Sequence, residues 1–141
     1  MKKILCITSA LVLVAGSADA QRPRVARSAG VVAIPTEDPA DSLYRAAHTA
    51  LNNRDYRKAT SLFKQVVDWY PSSEHAGDAL YWQAWTLYQL GNGNRTKADL
   101  DEALAAVERF NKNYGKNARM ANDATALYTQ IRSAQARLGD A

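Results

Sequence analysis

Asp55-Tyr56-Arg57-Lys58-Ala59-Thr60-Ser61-Leu62-Phe63-Lys64-Gln65-Val66-Val67-Asp68-Trp69-Tyr70-Pro71 decides the fold, because the chain restates it 44 residues later. Ala103, Val107, Phe110, Tyr114 and Gly115 stand at that offset from Ala59, Phe63, Val66, Tyr70 and Pro71, and Asp78-Ala79 returns as Asp123-Ala124 at an offset of 45. Within each copy the apolar residues recur at three and four, the spacing of one helix face. A repeat of a few tens of residues with helical spacing marks stacked supersecondary units, none of which can bury its apolar face alone.

Working outward, Asp38-Pro39 supplies a capping carboxylate and a proline for the first helical turn, with Asp41 where the helix dipole favours negative charge. The spacing predicts a first helix with Leu43, Ala46, Ala47, Ala50 and Leu51 on its buried stripe, ending near Asn52-Asn53. Asp55 then caps a second helix with the stripe Ala59, Leu62, Phe63, Val66 and Val67, which Pro71 stops. So short a connection makes the two helices an antiparallel hairpin, at about 39–70. A second hairpin, at about 73–114, opens at Ser72 or Ser73 and runs to Leu90, with Gly91 suited to the left-handed residue past the helix end. Asn92 to Ala98 is expected as a polar loop, seven residues longer than its counterpart, before Asp99 caps the partner helix with Glu102 in capping-box position. That helix carries Leu100, Ala103, Leu104, Val107 and Phe110, and a closing helix at about 119–138 carries Ala124, Leu127, Tyr128, Ile131, Ala134 and Leu138. No run alternates β-branched and aromatic residues, so the expected fold class is all-α.

The ends and the composition narrow the setting. Lys2-Lys3, the apolar run Ile4–Ala15 and Gly16-Ser17-Ala18-Asp19-Ala20 have the form of a secretory signal peptide over residues 1–20, cleaved before Gln21. At 12 residues the run falls short of the roughly 20 that span a membrane. Cys6 lies far ahead of that cleavage point and does not read as a lipid-attachment cysteine; as the only cysteine, it leaves the mature chain without disulfide or thiol chemistry. Without Lys2, Lys3 and Asp19 the chain keeps 16 basic and 13 acidic residues, a formal charge of +3. Arg22, Arg24 and Arg27 sit in residues 21–37, which show no helical period and read as a flexible basic linker. The linker is either a solvated spacer or a weak electrostatic contact with an anionic membrane surface, for which three arginines are few. The remaining residues, 38–141, suffice for one small domain burying about 65% of its unfolded surface.

Asp55-Tyr56, Ala59, Phe63, Val66 and Pro71 resemble the second helix of a tetratricopeptide repeat, where a small residue admits the paired helix, aromatics fill the space between, and proline ends the unit. Leu43, Ala46, Ala47 and Ala50 stand at the family's first-helix positions but lack its bulky residues. Leu80, Gln83, Ala84, Leu87 and Gly91, with Ala103, Val107 and Phe110, fill the second unit, with Gln83 at a usually apolar site and Gly115 in place of proline. The phrase Tyr70-Pro71-Ser72-Ser73-Glu74-His75-Ala76-Gly77-Asp78-Ala79-Leu80 looks like the envelope branch of the family, which includes outer-membrane-assembly lipoproteins and periplasmic cell-division coordinators. The resemblance implies a short α-solenoid of antiparallel hairpins with a C-terminal capping helix, exported, most simply to the periplasm.

The resemblance further implies a concave groove lined by the first helix of each repeat: Asp41, Tyr44, His48 and Asn52 in one unit, Asp78, Tyr81, Trp85, Tyr88 and Gln89 in the next. The spacing agrees, since 44 and 48 are four apart and 81, 85 and 88 run i, i+4, i+7. Leu80, Ala84 and Leu87 already supply a buried stripe, so Tyr81, Trp85 and Tyr88 form an additional aromatic face of the kind that dominates binding hot spots. Two alternatives stay open at the level of sequence. The face is a groove for a peptide or helix of an envelope partner, or it is covered, by the last helix, another domain, further repeats or a second copy, and is core or assembly surface. Trp82 falls between the two faces, where boundary packing is expected.

Catalysis, cofactors and metals find no support. His48 and His75 are the only histidines and stand in no metal-binding pattern, and Asp38, Asp55 and Asp99 are accounted for as caps. Residues 91–99 lack the spaced acids of a calcium loop and the Gly-Lys-Ser/Thr ending of a phosphate loop. Asn94-Arg95-Thr96 is a formal glycosylation acceptor, of little meaning beside a bacterial-looking signal peptide. Scattered basic residues and export argue against nucleic acid. The expected function is protein–protein interaction without an enzymatic step.

Overall fold

In the computed structural model of the chain, residues 38–115 and 119–139 are described, and they form five α-helices: α1 (Pro39–Asn52), α2 (Tyr56–Trp69), α3 (Ala76–Asn94), α4 (Lys97–Asn113) and α5 (Ala121–Gly139). The expected signal peptide at 1–20 and the basic linker with Arg22, Arg24 and Arg27 lie outside the described residues. Consecutive helices pack pairwise, α1 on α2, α2 on α3, α3 on α4 and α4 on α5, while α5 also meets α3 along a shorter seam. This is the tetratricopeptide-like helical solenoid that the repeat implies.

The first hairpin forms for the reasons its residues give. The Asp38 carboxylate accepts the Ala40 N–H at 2.9 Å with Pro39 opening the helix, and Asp55 accepts the Lys58 N–H at 3.2 Å. Each such cap satisfies a backbone donor that has no partner inside the helix and contributes about 1 kcal/mol. Ala59, Phe63, Val66 and Val67 of α2 are buried as the period requires. Ala46 is a correction: it is exposed, because α1 has a single flanking helix and buries only the narrow stripe of Ala40, Ala47 and Ala50, with Leu43, Tyr44 and Leu51 half-covered. Tyr128 is another, exposed on α5 beside a stripe of Ala124, Leu127, Ile131 and Ala134.

The second hairpin differs most from expectation. The long polar loop over 92–98 is not there; α3 continues to Asn94 and α4 begins at Lys97. Gly91 is helical and buried rather than left-handed, and the left-handed residue is Arg95, at φ 54°. Arg54 plays the same part in the first hairpin at φ 61°. Both turns close alike, Asp55 N–H to the Ala50 carbonyl and Thr96 N–H to the Gly91 carbonyl, each at 2.9 Å. The buried pair Ala47 and Ala84 stand 37 apart, the turn residues Arg54 and Arg95 41 apart, and the buried pair Ala59 and Ala103 44 apart. Four extra residues precede the second turn and three follow it, so the seven taken for loop are one added helical turn on each arm. Asp99 therefore sits in the first turn of α4 instead of capping it, and Thr96 holds the cap position without a side-chain hydrogen bond. Likewise α3 starts at Ala76, after a turn in which the Ser73 hydroxyl accepts the His75 N–H at 3.2 Å.

Small residues let the helices close on one another. Ala47, Ala59, Ala79, Ala84, Ala103 and Ala124 are fully buried, and Phe63, Phe110, Leu80, Leu100 and Ile131 fill the space between them. A part-buried hydrogen bond joins α2 to α3: the Thr60 hydroxyl donates to Thr86 Oγ1 at 2.8 Å, and Thr86 donates onward to a carbonyl of its own helix. The hairpins are also tied by the Tyr114 hydroxyl donating to the Pro71 carbonyl at 3.2 Å, and by Arg109 with Asp68 at 3.5 Å. Gln83, at the site where the family is usually apolar, is buried with its side-chain oxygen unpaired.

At Gly91, α3 comes close to the start of α4. A Cβ there would lie 2.7 Å from the Leu100 side chain and 2.9 Å from the Leu100 backbone nitrogen. In an open helix Gly→Ala stabilises by about 1 kcal/mol; here overpacking reverses the sign. Gly91→Ala is expected to destabilise the protein by about 1–3 kcal/mol in urea unfolding followed by helical circular dichroism. An increase in stability would show that α3 and α4 are not in this contact.

Candidate functional site

Side chains of α1 and α3, with one ring from the start of α2 and one from the turn before α3, form one connected set of rings. Tyr44 stacks on His75 with centroids 4.5 Å apart and planes 8° from parallel, and meets His48 edge-on at 4.5 Å. His48 in turn meets Trp82 at 5.3 Å, Trp82 meets Trp85 at 5.9 Å, and Trp85 meets Tyr56 at 5.9 Å. Branches reach the core at Phe63, against Tyr44 and His48, and at Phe110, against Tyr81. Edge-to-face and offset contacts of this kind contribute about 0.5–1.5 kcal/mol each beyond area burial and hold the rings in fixed orientation.

Tyr44, His48, Trp85, Tyr88 and Gln89 are each part-exposed, and Asn52 is exposed at the last position of α1. Tyr81 departs from them: it is 9% exposed and its ring packs toward Phe110, because α3 is flanked by α2 and α4 and position 81 falls at the α4 edge of the core. Trp82 proves to be the hub of the set, touching His48, Tyr81 and Trp85 and so linking the α1 rings to those of α3. Tyr56 and His75 also belong to the set, and sequence spacing does not reveal them. One lies at the start of α2 and the other in the turn before α3, so neither shares a helical period with the face it joins.

Acidic side chains border the rings. Asp41 pairs with Arg45 at 3.2 Å and approaches His75 at 3.5 Å, Asp78 pairs with Arg119 at 2.8 Å, and Asp123 begins the same face on α5. Burial, and after it the Asp78 charge, raises the Tyr44 hydroxyl above its ordinary pKa; burial, then Asp123, does the same to Tyr81. His48 is held below its ordinary value of 6.5, chiefly by burial, with the nearby Asp78 opposing and His75 adding to the shift.

Two clefts separate α3 from α5. The smaller, about 150 Å³, is lined by Tyr81, Trp85, Asp123, Ala126, Leu127 and Gln130; the larger, about 500 Å³, adjoins it through Ala126 and Gln130 and reaches Tyr88 and Arg137. Since α5 lies chiefly on α4, it leaves Trp85 and Tyr88 part-exposed beside these clefts. Among the described residues no group of histidine, cysteine and carboxylate side chains is placed to hold a metal ion, and no helix is long and apolar enough to cross a membrane.

The depressed His48 gives the site a pH signature. The unfolded chain binds a proton at His48 near pH 6.5 while the folded chain resists it, so stability is full above that pH and falls as pH drops through the window below it. The acids Asp68 and Asp101, held below their ordinary 3.8 mainly by hydrogen bonds from Lys64 and Lys97, lose their contribution only at lower pH. Thermal unfolding between pH 7.5 and 5 should show a decline in Tm that His48→Gln flattens. An identical decline in that variant would assign the pH dependence elsewhere.

With this geometry in place, comparison with known proteins is informative. Residues 36–138 match the family model YfiO, described as an outer membrane lipoprotein. The outer membrane protein assembly factor BamD of Neisseria meningitidis serogroup A is 32% identical over 121 residues, covering 85% of this chain and 40% of that protein. The chain thus spans about two fifths of the length of the curated relative it matches. A family match over this share of the chain, across all five helices, is decisive: the protein belongs to the YfiO family of outer membrane lipoproteins.

Proposed function

We propose that this protein is an exported interaction module of the bacterial cell envelope, which captures a peptide or helix of an envelope partner along the face shared by α1, α3 and α5. The periplasm is the natural compartment for such a module, and the name of the meningococcal relative points to outer-membrane protein assembly as the process it serves. The observation that carries the reading is the connected ring set with its part-exposed members Tyr44, His48, Trp82 and Trp85, backed by Phe63 and Phe110, beside which Tyr88 stands part-exposed at the larger α3–α5 cleft. Rings locked by packing lose little freedom on binding, so their contact area converts into affinity with a small ordering cost. Asn52 and Gln89 extend the face with polar contacts, and Tyr81 serves it from behind. No cofactor, metal or chemical step enters this reading, and any contact of Arg22, Arg24 and Arg27 with lipid is secondary to it.

A second reading has its own observation. Tyr128 is 36% exposed on α5, on a helix flanked by α4 and a short seam of α3, and could be covered by a further repeat or by a second copy stacking on the solenoid. Sedimentation across a concentration series separates the two: a monomer with the ring face intact favours capture, a stable oligomer favours stacking.

Truncating Trp85 and Tyr88 together to alanine removes two part-exposed rings without opening the Phe63–Phe110 core. The double variant is expected to keep its helical circular dichroism and to lose partner capture from an envelope extract, each ring contributing about 2 kcal/mol. Unchanged capture by a folded double variant would rule out this face.

A further inference from the structure

The smaller α3–α5 cleft differs from the rest of the ring face in its charge. Asp41 is answered by Arg45, and Asp78 by Arg119, whereas Asp123 makes no ion pair or hydrogen bond with any described residue. Asp123 stands in the first turn of α5, where the helix dipole offsets part of its charge but leaves the cleft mouth negative. After burial, its field is what raises the Tyr81 hydroxyl, and among the described residues no cation lines this cleft. At the other end of α5, Arg137 lines the adjoining cleft and donates to Asn92 Oδ1 at 3.5 Å.

The cleft also has the shape and walls for a single side chain. At about 150 Å³ it is well under the roughly 300–1,000 Å³ of sites that hold small molecules. One wall is Trp85, whose indole is fixed by edge contacts with Tyr56 and Trp82, and another is Tyr81. A tryptophan ring beside an unpaired carboxylate attracts a guanidinium or ammonium group through the ring quadrupole and the charge together, and the carboxylate repels another carboxylate. Gln130 adds an amide oxygen able to accept a hydrogen bond from such a group.

We propose that this notch, formed by Tyr81, Trp85, Asp123 and Gln130, seats one cationic side chain, arginine before lysine, of the segment bound along the ring face. The inference rests on the groove reading and narrows its partner: the bound segment carries a basic residue beside its apolar contacts, and an acidic side chain or a chain-terminal carboxylate does not enter here.

The test uses small probes, so it does not depend on knowing the partner. The isotopically labelled protein is titrated with N-acetyl-arginine methylamide and, separately, with the neutral isostere N-acetyl-citrulline methylamide, following the Trp85 indole N–H and the Asp123 amide by NMR. The arginine probe should give saturable shifts at both positions, the citrulline probe should bind at least threefold more weakly, and Asp123→Asn should weaken arginine binding about three- to tenfold while leaving citrulline unchanged. Equal affinity for the two probes, shifts confined to other residues, or no saturable shift would overturn the notch. Failure of the notch leaves the ring face standing if the Trp85, Tyr88 double variant still loses partner capture, so the two readings fail separately.

Discussion

The structure depends on α3 being packed from two sides at once. It must present one stripe to α2 and another to α4, and it does so with residues small enough for both neighbours to come close: Ala79, Ala84 and Gly91 are buried alongside Leu80, Leu87 and Thr86. Alanine and glycine contribute little transfer free energy of their own. Their value is distance, because they let Phe63 and Phe110 on the flanking helices fill the remaining space at close-packed density. With two sides committed to the scaffold, α3 has one side left, and that side carries Asp78, Trp82, Trp85 and Tyr88. Scaffold and ring face are therefore set by the same packing decision.

That arrangement explains which ring turned inward. A helix with one neighbour, such as α1, has a narrow buried stripe and keeps Tyr44 and His48 at the edge of solvent. On α3 the buried arc is wide enough to take in Tyr81, and Trp82, one position on, becomes the bridge between the two hairpins. Asp41 and Asp78 are then drawn into pairs with Arg45 and Arg119, which leaves Asp123 without an ion pair among the described residues. The surface ion pairs themselves contribute little to stability. Their consequence is to decide where the face is negative.

Much of this was legible in the chain, for physical reasons. Helix number, hairpin pairing and the stripes of α2 and α4 follow from a 3.6-residue period with caps at Asp38 and Asp55, since local periodicity and capping act within a few residues. What could not be read is decided by packing. Asn92 to Ala98 is polar with two nearby glycines, and propensity alone makes it a loop. Closure of Gly91 on Leu100 and a left-handed Arg95 turn it into helix instead, and the sequence signals the position only as glycine, without saying whether the glycine ends a helix or admits another. The inward Tyr81 and the recruited Tyr56 and His75 escape for the same cause: they depend on what lies across from them, which a single-helix period does not contain.

In the proposed function α2 and α4 back the face of α1, α3 and α5 that meets a partner. Hydrogen–deuterium exchange of the protein alone and with its captured envelope partner tests that division. Added protection is predicted in the turns and helix ends bordering the ring face, at α1, around His75 and along the α3–α5 clefts, with α2 and the outer side of α4 unchanged. Protection concentrated on α2 or α4, with the ring face unaltered, would contradict it.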